Sequence, residues 1–311
     1  MPLLGFSPVG NGVNPVVLVV DDEEPLRALL TRLLEREGFS AFSASDGQEA
    51  IRLFRDQSPL VVVSDIRMPR MDGLTMLTEI RKIDRGAAVI LMTGQGNEEI
   101  LLSALRGGAT NFFKKPFSNR ELIDEIRRVV GFRLEAERSS FYSPYATEET
   151  KSFVLPAGVA SYYSIINQLT LQLPTLVQPE EILNLKIGIE EMITNAIEHG
   201  SLGISFEEKS QAIKEGTLAE LVSRRIEEAR LAGRRIFITS RLSSELFEVT
   251  VRDEGSGFDW RKLPAVAPEN LLAYNGRGIF LTKIYFDEVQ YNDAGNQVTL
   301  RKYRSLAKDQ P

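Results

Sequence analysis

Residues 16–22 read Val-Val-Leu-Val-Val-Asp-Asp, five apolar residues without a polar interruption followed at once by two carboxylates. A strand with one face in water alternates apolar and polar residues, whereas an unbroken apolar run belongs to a strand covered on both faces, as in a parallel sheet under helices. Outward from this run the same pattern repeats. The periodicity predicts a helix over Glu23 to Glu37, a strand over Phe39 to Ser43 and a helix over Gly47 to Asp56. A second buried strand follows at Leu60 to Ser64, then helix Leu74 to Ile83, strand Ala87 to Met92 and helix Glu98 to Arg106. Strand Asn111 to Phe113 and helix Asn119 to Val130 close the series. Strands alternating with amphipathic helices imply an α/β, doubly wound, five-stranded parallel sheet.

Ligands of such sheets bind at the carboxyl ends of the strands. Asp21 and Asp22 follow the first strand, Asp65 the third, Thr93 the fourth and Lys115 the fifth. Three carboxylates at one sheet edge repel unless a cation joins them, and an all-oxygen set suits Mg2+. Lys115 can offset the charge of a phosphoryl group and Thr93 can donate a hydrogen bond to it. One Asp after a strand is ordinarily a cap or turn residue; five such residues at four strand ends are better read as a site.

Composition sets the outer limits. The chain of 311 residues is 43% hydrophobic and 26% charged, enough for about two domains with their own cores. Its apolar runs are too short to cross a bilayer and no signal segment opens it, so a cytoplasmic protein is expected, with no membrane partner. The absence of cysteine excludes disulfides, thiolate metal sites and cysteine nucleophiles. A net charge of −6 argues against nucleic acid as a partner.

The runs Val-Val-Asp-Asp, Ser-Asp-Ile-Arg-Met-Pro-Arg-Met-Asp-Gly, Leu-Met-Thr-Gly and Phe-Lys-Lys-Pro-Phe resemble the receiver domain of two-component response regulators. By that resemblance Asp65 is the phosphorylated aspartate, and Asp21 and Asp22 bind Mg2+ together with Asp65 and the backbone carbonyl of Arg67. Thr93 and Lys115 sense the phosphoryl group, and Phe112 stands where the family has a rotating aromatic. The implied phosphodonor is a sensor histidine kinase or a phosphotransfer protein. Arg67 replaces the Asn common two residues after the phosphoacceptor. Helix Asn119 to Val130 is expected to run on towards Arg138. Its Leu122, Ile126 and Val129 are read as packing on the sheet, with a homodimer seam as the alternative.

Leu183 to Gly200, Leu-Asn-Leu-Lys-Ile-Gly-Ile-Glu-Glu-Met-Ile-Thr-Asn-Ala-Ile-Glu-His-Gly, carries apolar residues at helical spacing, and Gly200 falls where a C-cap glycine would sit. Glu191, Asn195 and His199 are four apart and share one face. Taken alone the stripe is either a solvated face or a metal and acid/base site. Two later motifs bear on the choice. Asp253-Glu-Gly-Ser-Gly257 sits at a strand end, where Asp253 can accept from an exocyclic amine and glycines let the backbone approach a ligand. Such a motif also makes ordinary turns. Asn275-Gly-Arg-Gly-Ile279 opens a helix whose N–H groups favour phosphate. Around these motifs we expect strand Lys151 to Leu155, helix Val159 to Leu173, helix Pro179 to His199 and a charged helical stretch Phe206 to Leu231. That charged stretch is read as a solvated face or a docking surface. Strands Arg235 to Ser240 and Leu246 to Arg252, a short lid over Phe258 to Tyr274, helix Gly278 to Phe286 and strands Asp287 to Tyr291 and Gln297 to Tyr303 follow. Helices in one run and antiparallel strands in another indicate an α+β sandwich.

The three motifs in this order resemble the ATPase domain shared by histidine kinases, gyrase-type enzymes and the anti-sigma-factor serine kinases (the GHKL group), and look most like the last. The resemblance implies ATP as substrate, Asn195 as an Mg2+ ligand, Asp253 as the adenine reader and Glu191 as catalytic base. Gly255, Gly257, Gly276, Arg277 and Gly278 shape the nucleotide pocket. The domain plan is a tail over 1–14, a receiver over 15–130, a helical extension and linker over 131–151, the ATPase domain over 152–305 and a tail over 306–311. The expected activity is a protein serine/threonine kinase in a partner-switching pathway, whose partners are an anti-sigma-factor antagonist and a sigma factor. The alternative is an ATP-dependent module that sequesters a regulator with little turnover. The single histidine, His199, disfavours an autokinase, and no basic helix-turn-helix follows the receiver.

Overall fold

The computed structural model describes residues 14–94, 98–138, 147–157, 162–262 and 277–305. They form two compact units that part after Arg138.

In the first unit β1 (Val16–Val20), β2 (Ser40–Ala44), β3 (Val61–Asp65), β4 (Ala88–Thr93) and β5 (Asn111–Lys114) make one sheet in the order β2-β1-β3-β4-β5. Every pairing is parallel, with Val17 opposite Val61 and Val61 opposite Ala88. Strands β3 and β4 are buried along their whole length, as continuous apolar runs require. Helices α1 (Glu24–Arg36), α2 (Gly47–Gln57), α3 (Gly73–Ile83), α4 (Glu98–Arg106) and α5 (Asn119–Arg138) connect and follow the strands. Asp46 caps α2 by accepting from the Gln48 and Glu49 amides, and Asp72 caps α3 by accepting from Thr75.

The Met-Asp-Gly run ends in a backbone contact. A Cβ on Gly73 would overlap the Asp65 carbonyl and lie 3.1 Å from the Ile66 Cα, so only glycine lets α3 start against the end of β3. Helix α5 passes through Gly131 without a break, and Leu122, Ile126 and Val129 are buried in the unit's own core.

In the second unit β6 (Glu148–Pro156), β7 (Arg235–Ser243), β8 (Leu246–Asp253), β9 (Glu288–Tyr291) and β10 (Gln297–Tyr303) form an antiparallel sheet in the order β6-β7-β8-β10-β9. Its strands alternate as the expected sandwich demands: Ile236, Ile238 and Leu242 of β7 and Phe247, Val249 and Val251 of β8 are buried, and the less buried positions between them are polar except for Phe237. Helices α6 (Tyr163–Thr170), α7 (Pro179–Asn195), α8 (Phe206–Glu215), α9 (Leu218–Leu231) and α10 (Arg277–Tyr285) complete the unit. Gly188 lets α10 approach α7, since a Cβ there would meet the Phe286 ring at 2.9 Å.

The charged stretch is helical as expected and divides into two helices, because Gly216 takes φ +74° and caps α8, while Ser205 and Glu208 form a capping box at its start. Two expectations change. Strand β6 begins at Glu148, so the linker is shorter than 131–151; of it, 139–146 lies outside the described residues. Gly200 is no C-cap: α7 ends at Asn195 and passes into a π turn, Ala196–Ser201, and the left-handed glycine is Gly203 at φ +61°. The expected tails, except residue 14, the start of the Val159 helix and most of the lid lie outside the described residues. Among the described residues no helix is long and apolar enough to cross a membrane.

Candidate functional sites

At the carboxyl edge of the parallel sheet, Lys115 draws two strand ends together. Its ammonium lies 2.7 Å from Asp21 Oδ2 and 2.6 Å from Asp65 Oδ1, with Glu23 at 3.8 Å. Asp21 is fully buried and Asp65 nearly so. The remaining oxygens are occupied locally: the Glu23 amide donates to Asp21 Oδ1 at 2.9 Å and the Arg67 amide to Asp65 Oδ2 at 2.6 Å. Burial raises the Asp65 pKa against the hydrogen bond from Lys115. Burial alone would lower that of Lys115, but its bonds to Asp21 and Asp65 outweigh it and hold the ammonium above its usual range.

Thr93 is buried at the end of β4, and its carbonyl accepts from the Lys115 amide at 2.7 Å. Phe112 is buried on β5. Asp21, Asp65, Thr93 and Lys115 therefore come from four strand ends to one place. Asp22 stands apart, exposed, and among the described residues no three acidic or histidine side chains are grouped to hold a metal. Of the three strand-end carboxylates, Asp21 and Asp65 are joined by Lys115 while the Asp22 side chain is exposed. The donor set fits Mg2+ chemically: the atoms offered are hard oxygens, and the two buried carboxylates already hold a cationic group between them. Sequence reasoning missed Glu23 beside Lys115, and Arg27, which donates to the Asp21 carbonyl at 2.6 Å. The cap and first turn of a helix carry no periodicity that would signal either.

In the second unit the site is built on α7. Glu191 and Asn195 are half-buried on that helix, and His199 is exposed beyond it, with Nδ1 2.6 Å from the Ile204 carbonyl oxygen. A Cβ on Gly278 would overlap the Glu191 carboxylate, so the start of α10 lies against the proposed base. At the other end, a Cβ on Gly200 would overlap the Asp253 carboxylate. The Gly255 amide donates to Asp253 Oδ1 at 2.8 Å, and a Cβ on Gly255 would strike the Gly200 carbonyl. Gly257 takes φ +73° against Ala294. Glu191 with Gly278 and Asp253 with Gly200 and Gly255 thus make two groups of contacts along α7 and its π turn, with Asn195 at the end of α7 between them in the chain; the π turn is a type found disproportionately at functional sites. Gly257 stands at its edge, Arg277 heads α10, and Gly276 lies outside the described residues. Burial raises the Asp253 pKa, opposed by the Gly255 hydrogen bond and more weakly by the charge of Arg234.

Comparison with known proteins finds the same division. Residues 17–127 match the response regulator receiver domain and residues 155–302 the histidine kinase-like ATPase domain. Chemotaxis protein CheY of Halobacterium salinarum is 39% identical over 114 residues, 37% of this chain and 95% of that protein. The probable transcriptional regulator ycf27 of Guillardia theta is 41% identical over 114 residues, 37% of this chain, and the chain spans 44% of its length. For the regulatory protein AtoC of Escherichia coli the figures are 39% identity over 121 residues, 39% of this chain and 25% of that protein.

Proposed function

We propose, for a chain that belongs to the response regulator receiver family through residues 17–127 and carries a histidine kinase-like ATPase domain over 155–302, that phosphorylation of Asp65 governs an ATP-dependent protein serine/threonine kinase. The observation that carries the kinase reading is that one helix and its π turn hold Glu191 against the start of α10 and Gly200 against Asp253. The proposed catalytic carboxylate on α7 and the proposed adenine reader at the end of β8 are thereby both packed along one helix and its π turn.

In the ATPase domain Asp253 accepts from the adenine amine, and Gly255, Gly257, Gly276 and Gly278 admit the nucleotide backbone closely. The amide groups at the start of α10, together with Arg277, would bind the phosphates. Asn195 would hold Mg2+, which neutralises charge on the transferring phosphoryl group. Glu191 takes the proton from a serine or threonine hydroxyl as its oxygen bonds to the γ-phosphorus, and the bond to the bridging oxygen breaks to release ADP. In the receiver, a sensor histidine kinase or phosphotransfer protein is the donor and an Asp65 carboxylate oxygen the acceptor. Asp21, Asp22, Asp65 and the Arg67 carbonyl would hold Mg2+ there. Lys115 keeps a positive charge at the phosphoryl oxygens and Thr93 donates to them. The protein substrate is of the anti-sigma-factor-antagonist type, and the setting is the cytoplasm.

The test is transfer of label from ATP to candidate antagonists. Wild type is expected to label serine or threonine, and Glu191→Ala to lose about 100-fold or more of that rate while still binding ATP. An undiminished rate in Glu191→Ala would remove the base assignment. ATP binding without any labelled hydroxyl would leave a sequestering module instead.

A further inference from the structure

The π turn is the mechanical link between Asn195 and Asp253, because Asn195 immediately precedes it and its fifth residue, Gly200, is the one packed on the Asp253 carboxylate. A turn of this kind is not self-sufficient. Its amides close i to i+5 hydrogen bonds, and its last carbonyls point beyond the helix with no partner inside it. Ser201, the last residue, is fully buried, so water does not serve its carbonyl.

Two side chains from outside the turn hold it. Arg234 donates from Nη1 to the Ser201 carbonyl at 2.7 Å. A guanidinium there satisfies the buried acceptor and answers the negative end of the helix dipole at once. Lys209 of α8 pairs with Glu198 in the middle of the turn at 2.6 Å. Arg234 is itself pinned: its amide donates to Ala229 in α9, and its carbonyl accepts from Ala157 after β6, both at 3.1 Å. Gly233, at φ +65°, turns the chain from α9 into β7 and so points the next residue back at the turn. Both holding residues belong to, or directly follow, the charged helices α8 and α9.

We propose that Arg234 is a positioning residue of the nucleotide site, which with Lys209 clamps the π turn so that Gly200 keeps the Asp253 carboxylate in place for adenine. The charged segment Phe206 to Leu231 is then the frame of that clamp rather than only a solvated face. The inference rests on the nucleotide-site reading above and adds to it residues that touch neither phosphate nor substrate hydroxyl.

The experiment measures ATP affinity by titration calorimetry, and labelled-phosphate transfer against ATP concentration, in full-length wild type, Arg234→Ala, Arg234→Lys and Lys209→Ala. Losing a charge-assisted bond to a buried carbonyl should weaken ATP binding about 10- to 100-fold in Arg234→Ala. KM for ATP should rise in parallel, while kcat at saturating ATP stays within about twofold. Lysine, which supplies charge and one donor, should restore most of the affinity, and Lys209→Ala should weaken binding less than Arg234→Ala. Wild-type affinity in a folded Arg234→Ala, or a fall in kcat with KM unchanged, overturns the proposal. If Arg234→Ala shows no cooperative melt, wild-type affinity in Lys209→Ala overturns it. Failure of wild type to bind ATP would instead strike the nucleotide-site reading itself.

Discussion

Asp253 shows the conflict between function and stability at a single residue. It is a buried carboxylate whose pKa burial raises, so the fold favours its protonated form. A carboxyl raised in the folded state contributes stability that is complete below its unfolded pKa, about 4, and is lost as pH rises through the folded value. Above that folded value the wild type bears the cost of an ionised buried group. An amide keeps an acceptor for the Gly255 N–H without that charge. We expect Asp253→Asn to melt at the wild-type temperature or a few degrees above it at pH 7. The difference should close towards pH 4, and the stabilisation by Mg-ATP should be absent. Thermal melts of the ATPase domain at both pH values, with and without Mg-ATP, check this; a variant that melts well below wild type at pH 7 contradicts it. Lys115 is the contrasting residue, because its charge is matched by Asp21 and Asp65 at 2.7 and 2.6 Å.

At the scale of elements, glycines decide which helix end reaches which strand end. Gly73 brings α3 onto Asp65, Gly200 brings the π turn onto Asp253, and Gly278 brings α10 onto Glu191. The atoms that a Gly73 Cβ would strike are backbone, which cannot rotate away. Gly73→Ala should destabilise the receiver by about 1–3 kcal/mol and displace the phosphoacceptor. Denaturant unfolding of the receiver, alongside ATP titration, checks it: the first should weaken and the second stay unchanged, and a receiver of wild-type stability would refute the account. The motifs were legible in the sequence, but the reason for each glycine was not. Gly200 reads as a C-cap from its position after an apolar helix, and only the approach of Asp253, from more than fifty positions along the chain, gives its actual role. Similarly, the charge pattern of Phe206 to Leu231 looks like one solvated helix until Gly216 ends it and Lys209 turns out to hold Glu198.

For the whole molecule the question is coupling between two compact units, one matching the receiver domain and the other the histidine kinase-like ATPase domain. Phosphorylation can act only by a free-energy difference between states that the second unit also distinguishes. We expect kinase activity of wild type to change on adding a small-molecule phosphodonor and that of Asp65→Ala to stay constant; identical rates in all four conditions would dismiss the coupling. The order of elements and both sheet types were determined by the sequence by itself, and so was the choice of candidate site residues. Unbroken apolar runs, alternating runs and strand-end carboxylates are local consequences of burial that any stretch of chain displays. What only the tertiary structure decided is which of those residues meet. Lys115 lies between Asp21 and Asp65 while Asp22 stays exposed, and Arg234 secures the turn that carries Gly200 to Asp253. Contacts of this kind join residues far apart in the chain, and their partners are chosen by packing and by the need to satisfy buried carbonyls and charges, which leave no periodicity behind.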